Sequence, residues 1–428
     1  MKKLLTFTAL GTILAAAQVQ AAGYHLREQS AAAQGNAYAG ATAGAENLSY
    51  AYFNAASITR QKGTNINVGG TYIAPKAEMK NVRDAGGHRD PDSHNVVHAA
   101  VAPNMAISHQ LNDKAFIALA LNVPFGMITK YDEAWAGAEH GVTSKITAVT
   151  ATPMVAYKAT DKLSIGAGLQ IQYLKAKLTS RKFAGLPTPY SPRDGYNSTV
   201  EGDAVDFGWQ ISSMYEFNEN TRIGLSYRSK IQHKLNGKSK LNPAISNSGL
   251  PSILPEIADQ SIYAHLNTPA MFSMGVFHQI NEKWSVMAEY QRVFWSCFRD
   301  LYIRYKHGDA LVGGQGVREK WRDTNFYAIG ASYQIDNQWK WRFGLAYDQS
   351  AVRMNHRTPR IPDSDRLWYS TGLNYQYNEK LSFDLAYTYI YAHKAHLDTA
   401  RTGNSGSHVT AEYTNSVQLF GVSLNYKF

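Results

Sequence analysis

Six short polar turns divide most of this chain into alternating segments, and that spacing limits the possible folds more than any other feature. The turns are Leu111-Asn112-Asp113-Lys114, Ala159-Thr160-Asp161-Lys162, Phe217-Asn218-Glu219-Asn220, Ile280-Asn281-Glu282-Lys283, Ile335-Asp336-Asn337-Gln338 and Tyr377-Asn378-Glu379-Lys380. They recur roughly 40–65 residues apart. Asn and Asp suit such turns because they tolerate left-handed backbone and hydrogen-bond their own main chain. Each interval has room for two strands and one longer loop. Two more strands fit before the first turn and two after the last. The total is about 14, an even number, as in outer-membrane barrels.

The segments between the turns have period two. Phe420, Val422, Leu424, Tyr426 and Phe428 face one way, and Leu419, Gly421, Ser423, Asn425 and Lys427 the other. Leu381, Phe383, Leu385, Tyr387 and Tyr389 oppose Ser382, Asp384, Ala386 and Thr388, and Trp339, Trp341, Phe343, Leu345 and Tyr347 oppose Lys340, Arg342, Gly344, Ala346 and Asp348. Such alternation marks strands with one apolar and one polar face. A soluble sandwich alternates too, but three features favour a membrane barrel. The segments reach about 10 residues, enough to cross a bilayer when tilted. Aromatics gather beside the turns, at Trp284, Trp339, Trp341, Tyr375 and Tyr377, as in an interfacial girdle. Short turns alternate with long loops. The terminal aromatic Phe428, closing an alternating strand, agrees with this.

The front of the chain assigns the compartment. Lys2 and Lys3 precede an apolar run over Leu4–Ala17, and Val19-Gln20-Ala21 follows as a small-residue cleavage pattern. This reads as a secretory signal peptide, cleaved after Ala21. No later stretch offers about 18 consecutive apolar residues, so no transmembrane helix is expected. The single cysteine, Cys297, leaves no internal disulfide. The net charge of +10 includes Lys2 and Lys3. An exported basic chain suits anionic lipid head groups or an acidic ligand, and excludes nucleic acid as a partner.

The longest loops are expected over Lys182–Glu201 and Asn236–Gln260, both rich in Pro, Gly, Ser and Asn, and on the extracellular side. The second contains Leu250, Ile253, Leu254 and Ile257, spaced for a short apolar helix at the mouth. A further loop, SAVRMNHRTPRIPDSDR, is strongly basic. Between the signal peptide and the first strand lies a segment rich in Ala, Gly and Asn, from Gly23 to about Arg60, without β alternation. Roughly 14 strands enclose a lumen too wide for wall side chains to fill. A selective barrel therefore needs a plug, and this segment is placed to be one. Tyr50, Tyr52, Phe53 and Ile58 would be poorly used in solvent. The expected division is a signal peptide over 1–21, a plug or hatch over 22–62 and a transmembrane barrel over 63–428, with both chain ends and the short turns periplasmic.

These residues carry a family resemblance. AGYHLREQS, QGNAYAG and YFNAASITR at the front, then VAPNMAIS, NVPFG, LTSRKFAG, FGWQ, SYRSK, WRDTNFYAIG and IPDSDRLWYSTG, resemble the FadL family of long-chain fatty-acid transporters of Gram-negative outer membranes. The resemblance covers essentially the whole mature chain. It implies a hatch-filled barrel that takes up fatty acids or similar hydrophobic molecules passively. Ligand meets a groove among the extracellular loops, then a lumenal pocket, and leaves sideways at a kink in the third strand. The family's Asn-Pro-Ala hatch motif, which packs near that kink, corresponds to Asn54-Ala55-Ala56, with the proline missing. Family pockets use basic residues that fall here on Lys182 and Arg322, with Arg181 next to the first.

The third strand is expected over Lys114–Ile128, with the kink at Asn122–Gly126. The residues themselves point the same way. Pro124 cannot donate to a ladder and Gly126 weakens a strand, so a bulge or break is expected there, or an early loop. The expected partners are a long-chain fatty acid or another hydrophobic small molecule, outer-membrane lipid and lipopolysaccharide, and the barrel-assembly machinery. A monomer is expected, without cofactor or metal. An unplugged porin or a receptor barrel is the alternative. A barrel lipase or protease would need a Ser-His or Asp-His constellation, and the 14 histidines show no spacing that makes one.

Overall fold

The computed structural model describes residues 23–133, 135–182, 196–243, 257–312, 316–404 and 406–428. The expected signal peptide and, of the expected apolar helix, Leu250, Ile253 and Leu254 lie outside the described residues, while Ile257 opens a strand instead. Fourteen antiparallel strands form a closed barrel. In chain order they are β1 (Thr64–Arg83), β2 (Ala100–Gln110), β3 (Ala115–Lys130), β4 (Thr143–Lys158), β5 (Leu163–Lys182) and β6 (Tyr196–Glu216). β7 comes in two pieces, Thr221–Arg228 and Ile231–Pro243, as does β8, Ile257–Thr268 and Met271–Gln279. Then follow β9 (Trp284–Val293), β10 (Thr324–Gln334), β11 (Trp339–Asp348), β12 (Arg366–Gln376), β13 (Leu381–Ala392) and β14 (Thr410–Lys427). β14 closes on β1 from Asn65 opposite Lys427 to Arg83 opposite Thr410, so the sheet returns on itself.

The polar turns hold the hairpins by one device. In each of five, an Asn or Asp oxygen accepts two backbone N–H groups. Asn112 takes those of Lys114 and Ala115, and Asp336 those of Gln338 and Trp339. In the remaining turn the Thr160 hydroxyl does the same. Outside, the wall is apolar: Phe207 is 63% exposed and Ile329 65%. So much exposed apolar side chain on a closed barrel is the surface a bilayer covers. Inside, the same strands are polar or small, and they meet residues 23–62.

That segment is compact and buried. Its three short helical turns start at Ser30, Asn47 and Asn54, each of whose side chains accepts a backbone N–H from the turn it opens. Such caps favour turns over strands, which explains the missing β alternation. Polar bonds tie the segment to the wall. Arg342 on β11 is fully buried and donates to Glu46 of the hatch and to Asp384 of β13, both at 2.9 Å. Asp384 also accepts from Asn47, Asn374, Ser423 and Asn425. A buried charge so fully bonded tolerates no vacancy, because losing one partner strands the others.

The two ends of the described chain lie apart. Phe428 sits at the short-turn end, where its N–H bonds the Thr64 carbonyl. Gly23 lies in the long-loop half of the lumen, its N–H bonded to Asp363. Both ends were expected on one side. The described residues place them at different levels of the barrel, because the hatch climbs the lumen from Thr64 back to Gly23.

Candidate functional site

The expected kink in β3 is present. β3 and β4 lose register between Asn122/Thr150 and Phe125/Ala148, so Val123 and Pro124 together oppose Val149. Pairing with β2 stops at Leu121 opposite Met105, although both strands continue. Only an isolated bridge, Val97 to Thr129, rejoins them above. NVPFG is therefore a bulge inside the strand rather than a loop.

The backbone groups freed there are taken by the first described residues. Leu26 N–H donates to the Pro124 carbonyl at 2.8 Å, and Gly126 N–H donates to the Tyr24 carbonyl at 2.9 Å. The Gln29 side chain bonds Val123 O at 2.8 Å and Asn122 Nδ2 at 3.1 Å. A bulge leaves orphan groups, and residues 24–29 supply the partners that β2 does not. The Asn54-Ala55-Ala56 motif was expected at this place, and it lies elsewhere. Asn54 Nδ2 donates to the carbonyls of Thr42 and of Ser213 on β6. Ala55 packs with Phe116 and Ala120, lower on β3. The motif anchors the hatch at the short-turn end and leaves the kink to Tyr24–Gln29.

Beside the kink, the long-loop half of the lumen holds an apolar pocket. Met127, Ile146, Leu178, Leu235, Leu266 and Phe298 are among its walls, supplied by β3, β4, β5, β7, β8 and the segment after β9. Its empty space is about 670 Å³ with the open mouth included. Tyr24, Trp295, Phe298 and Trp321 cluster at its side in edge-on and tilted contacts, with ring centroids 4.7–6.0 Å apart. Among the described residues, its charged lining residues are Arg360, Glu319 and Glu201. Glu201 is paired to Lys175 at 2.8 Å.

Arg360 is the pocket's cation. One of its terminal nitrogens bonds Thr143 O (3.2 Å), Ser144 Oγ (2.9 Å) and Thr179 O (3.4 Å). Its Nε and its other NH2 group have no partner among the described residues. Burial pushes its pKa down to about 10, so it stays charged at neutral pH. Glu319 is buried, accepts from Trp321 Nε1 at 3.1 Å and is pushed up to about 7 by desolvation. An apolar slot ending in a cation with idle donors can hold an acyl chain and its carboxylate.

Of the two cations expected from the resemblance, only Arg322 has a described side chain. Arg322 is not in the pocket. Its side chain is 46% exposed, bonded to Ser350 O and lying 3.6 Å from Asp365, which also accepts from Tyr347. Its neighbour Trp321 is buried instead. Lys182 ends β5 opposite Tyr196, and its side chain lies outside the described residues. Arg181 bonds the carbonyl of Glu133, beneath the loop after β3. The long loops are shorter than expected, because the strands run on to Lys182, Pro243 and back to Tyr196 and Ile257. Arg360 was missed by matching motifs, yet it stands in the basic loop SAVRMNHRTPRIPDSDR. Its neighbours in that loop are engaged otherwise: Arg366 bonds Asp363, and Arg357 bonds the carbonyls of Asp363 and His396.

Known proteins match this chain along its whole length. A family described as "Outer membrane protein transport protein (OMPP1/FadL/TodX)" matches residues 12–428. A long-chain fatty acid transport protein of Escherichia coli O6:H1 is 29% identical, over 100% of this chain and 99% of its own. Outer membrane protein P1 of Haemophilus influenzae is also 29% identical, with 98% of each covered. Among solved structures, a Pseudomonas aeruginosa FadL homologue superposes with a TM-score of 0.84 at 25% identity, covering 95% of this chain and 100% of that one. The Pseudomonas putida toluene transporter TodX shares the fold, with a TM-score of 0.68 at 20% identity over 91% and 97% of the two chains.

Proposed function

This chain belongs to the outer-membrane transport protein family that matches its residues 12–428, and from that premise we propose that it carries long-chain fatty acids or similar hydrophobic molecules passively across the outer membrane. The observation that carries this reading is the apolar pocket lined by the cation Arg360, whose Nε and second NH2 have no partner among the described residues. Each methylene kept out of water is worth about 0.8 kcal/mol. An apolar slot therefore holds a chain, while a buried carboxylate needs a charged donor. Cargo enters through a groove among the extracellular loops, rests in the pocket, and leaves into the bilayer at Val123–Gly126, once Tyr24–Gln29 release the bulge. Lys182 stays a candidate for the groove side of the pocket. Residues 1–21 serve as a signal peptide and 22–62 as the hatch. The protein works as a monomer within lipid and lipopolysaccharide after delivery by the barrel-assembly machinery.

Mass spectrometry of molecules that co-purify with the barrel identifies the cargo. Finding only detergent and phospholipid there, at full barrel yield, would count against a resident hydrophobe. Arg360→Gln is expected to weaken fatty-acid binding by about ten- to a hundredfold, the cost of one charge-assisted bond, and to spare an uncharged hydrocarbon. Equal losses for the two ligands would show that Arg360 acts through packing.

The pocket also carries a pH dependence with a definite sign. Burial pushes the Glu319 carboxyl up to about 7. Above that pH its carboxylate repels an anionic ligand, and below it the repulsion is gone while a fatty acid stays ionised. Affinity is expected to rise as pH falls from about 8 to 6. Glu319→Gln should remove that slope. A slope that survives in this variant assigns the effect to another group.

A further inference from the structure

A second polar space lies on the other side of the hatch from the pocket. It opens at the short-turn end and encloses about 730 Å³ with its mouth included. Four cations border it: Arg60 from the hatch, Arg222 from β7, Lys283 from the turn before β9, and Lys340 from β11. One carboxylate, Glu46, lines it as well, and it is already engaged by Lys340 at 2.6 Å and Arg342 at 2.9 Å. Arg60 is paired with Glu216. Lys283 is exposed and has no ion-pair partner among the described residues.

Arg222 decides what this space can do. It is only 8% exposed. Its Nε donates to the Ala43 carbonyl at 2.7 Å, and its guanidinium lies 3.8 Å over the ring of Phe277. Those two contacts fix the plane of the group. Neither terminal NH2 has a partner among the described residues. Its two terminal NH2 groups face the open vestibule, where water or an anion can accept from them. The group cannot swing into water without giving up both the carbonyl and the ring. A fixed planar fork with two free NH2 groups fits a carboxylate or a phosphate, which accepts two parallel bonds.

We propose that this vestibule is an anion-binding site on the short-turn face of the hatch, taking a carboxylate or phosphate group between the fork of Arg222 and the ammonium of Lys283. An anion held there bridges Arg222 on β7 and Lys283 in the turn before β9, beside the hatch residues Gly44–Glu46 that line the same space. The site rests on the vestibule alone and does not depend on the cargo of the pocket beyond the hatch.

The test uses the full-length protein in detergent, titrated with inorganic phosphate and with hexanoate by calorimetry. Saturable binding is expected. Arg222→Gln should weaken it by about tenfold or more, the loss of a charge-assisted fork. Lys283→Gln should weaken it severalfold, by removing a nearby charge. Because Arg222 also holds Ala43, its variant can loosen the hatch, so Lys283→Gln in the exposed turn is the independent check. Phosphate and hexanoate binding alike would assign the site to soluble anions. Hexanoate alone would assign it to the head group of an amphiphile that has passed the hatch. Absence of saturable binding of either anion in the unmodified protein would overturn the proposal, as would binding that Lys283→Gln leaves unchanged.

Discussion

Valine in place of Gly344 is expected to turn a sealed barrel into a conducting one. A Cβ on Gly344 would sit 2.1 Å from the carbonyl oxygen of Asn36, and one on Gly224 would sit 2.0 Å from that of Thr42. No side-chain rotation relieves either clash, because the crowded atoms belong to backbone. Either wall or hatch must move. Around Gly344 the wall is an unbroken ladder, with β11 paired to β10 and β12 from end to end. The hatch holds its place by separate side-chain bonds, so the hatch yields. A displaced plug leaves a lumen of 14 strands open to ions. Single-channel conductance in planar bilayers should rise by roughly tenfold or more over the unmodified protein. Leu345→Val, one residue on and facing lipid at 50% exposure, serves as the control and should change nothing. A Gly344→Val barrel that folds, resists cold SDS and stays closed would mean that residues 23–62 do not seal the lumen.

Closing the kink is expected to stop transport and spare binding. Val123 and Pro124 form the bulge, and Gly126 follows it. Pro124→Val restores a donor to the ladder, and Gly126→Thr stiffens the strand. Both changes favour pairing of β3 with the upper half of β2, at the expense of the bonds to Tyr24 and Leu26. A hydrophobe that leaves sideways moves from an apolar pocket into lipid without crossing water. The alternative, a route through the hatch into the periplasm, exposes about 0.8 kcal/mol of apolar surface per methylene. For a long chain that difference decides the path. Uptake of labelled fatty acid by cells should fall by about tenfold or more, while affinity measured on the purified double variant stays within about twofold. If uptake persists with the gap shown closed, cargo passes through the hatch. It would then run beside Asn54 and emerge in the vestibule that Arg222 borders.

Much of this molecule is legible in its residues, and the reason is local. A strand's side chains alternate with period two, so the rows Trp339–Tyr347 and Phe420–Phe428 fix which face meets lipid before any partner strand is known. An Asn or Asp at each tight turn bonds its own backbone, so the hairpin ends can be read from the turns alone. Pro124 announces a break in its strand wherever that strand lies, because it lacks an N–H. The barrel, its strand number, its plug and the position of the kink all rest on such short-range rules.

The choice of cation and the partner of the kink rest on contacts between distant parts of the chain, and only the tertiary structure decided them. Arg322 and Trp321 are neighbours in a loop without period. Which of them enters the lumen depends on how Ser350 and Asp365, far along the chain, take up the guanidinium. Arg360 is one of four arginines in a single basic loop. It alone lines the pocket, because the ends of β4 and β5 offer Ser144 and Thr179 where it arrives. The orphaned groups of the bulge called for some polar partner. The chain supplied Tyr24–Gln29 rather than Asn54 because the hatch runs upward through the lumen, and that path is set by where its buried backbone fits against the wall at Gly224 and Gly344. A pattern of residue types states that a group must be satisfied. Which distant segment satisfies it is fixed by the closed packing of the whole barrel.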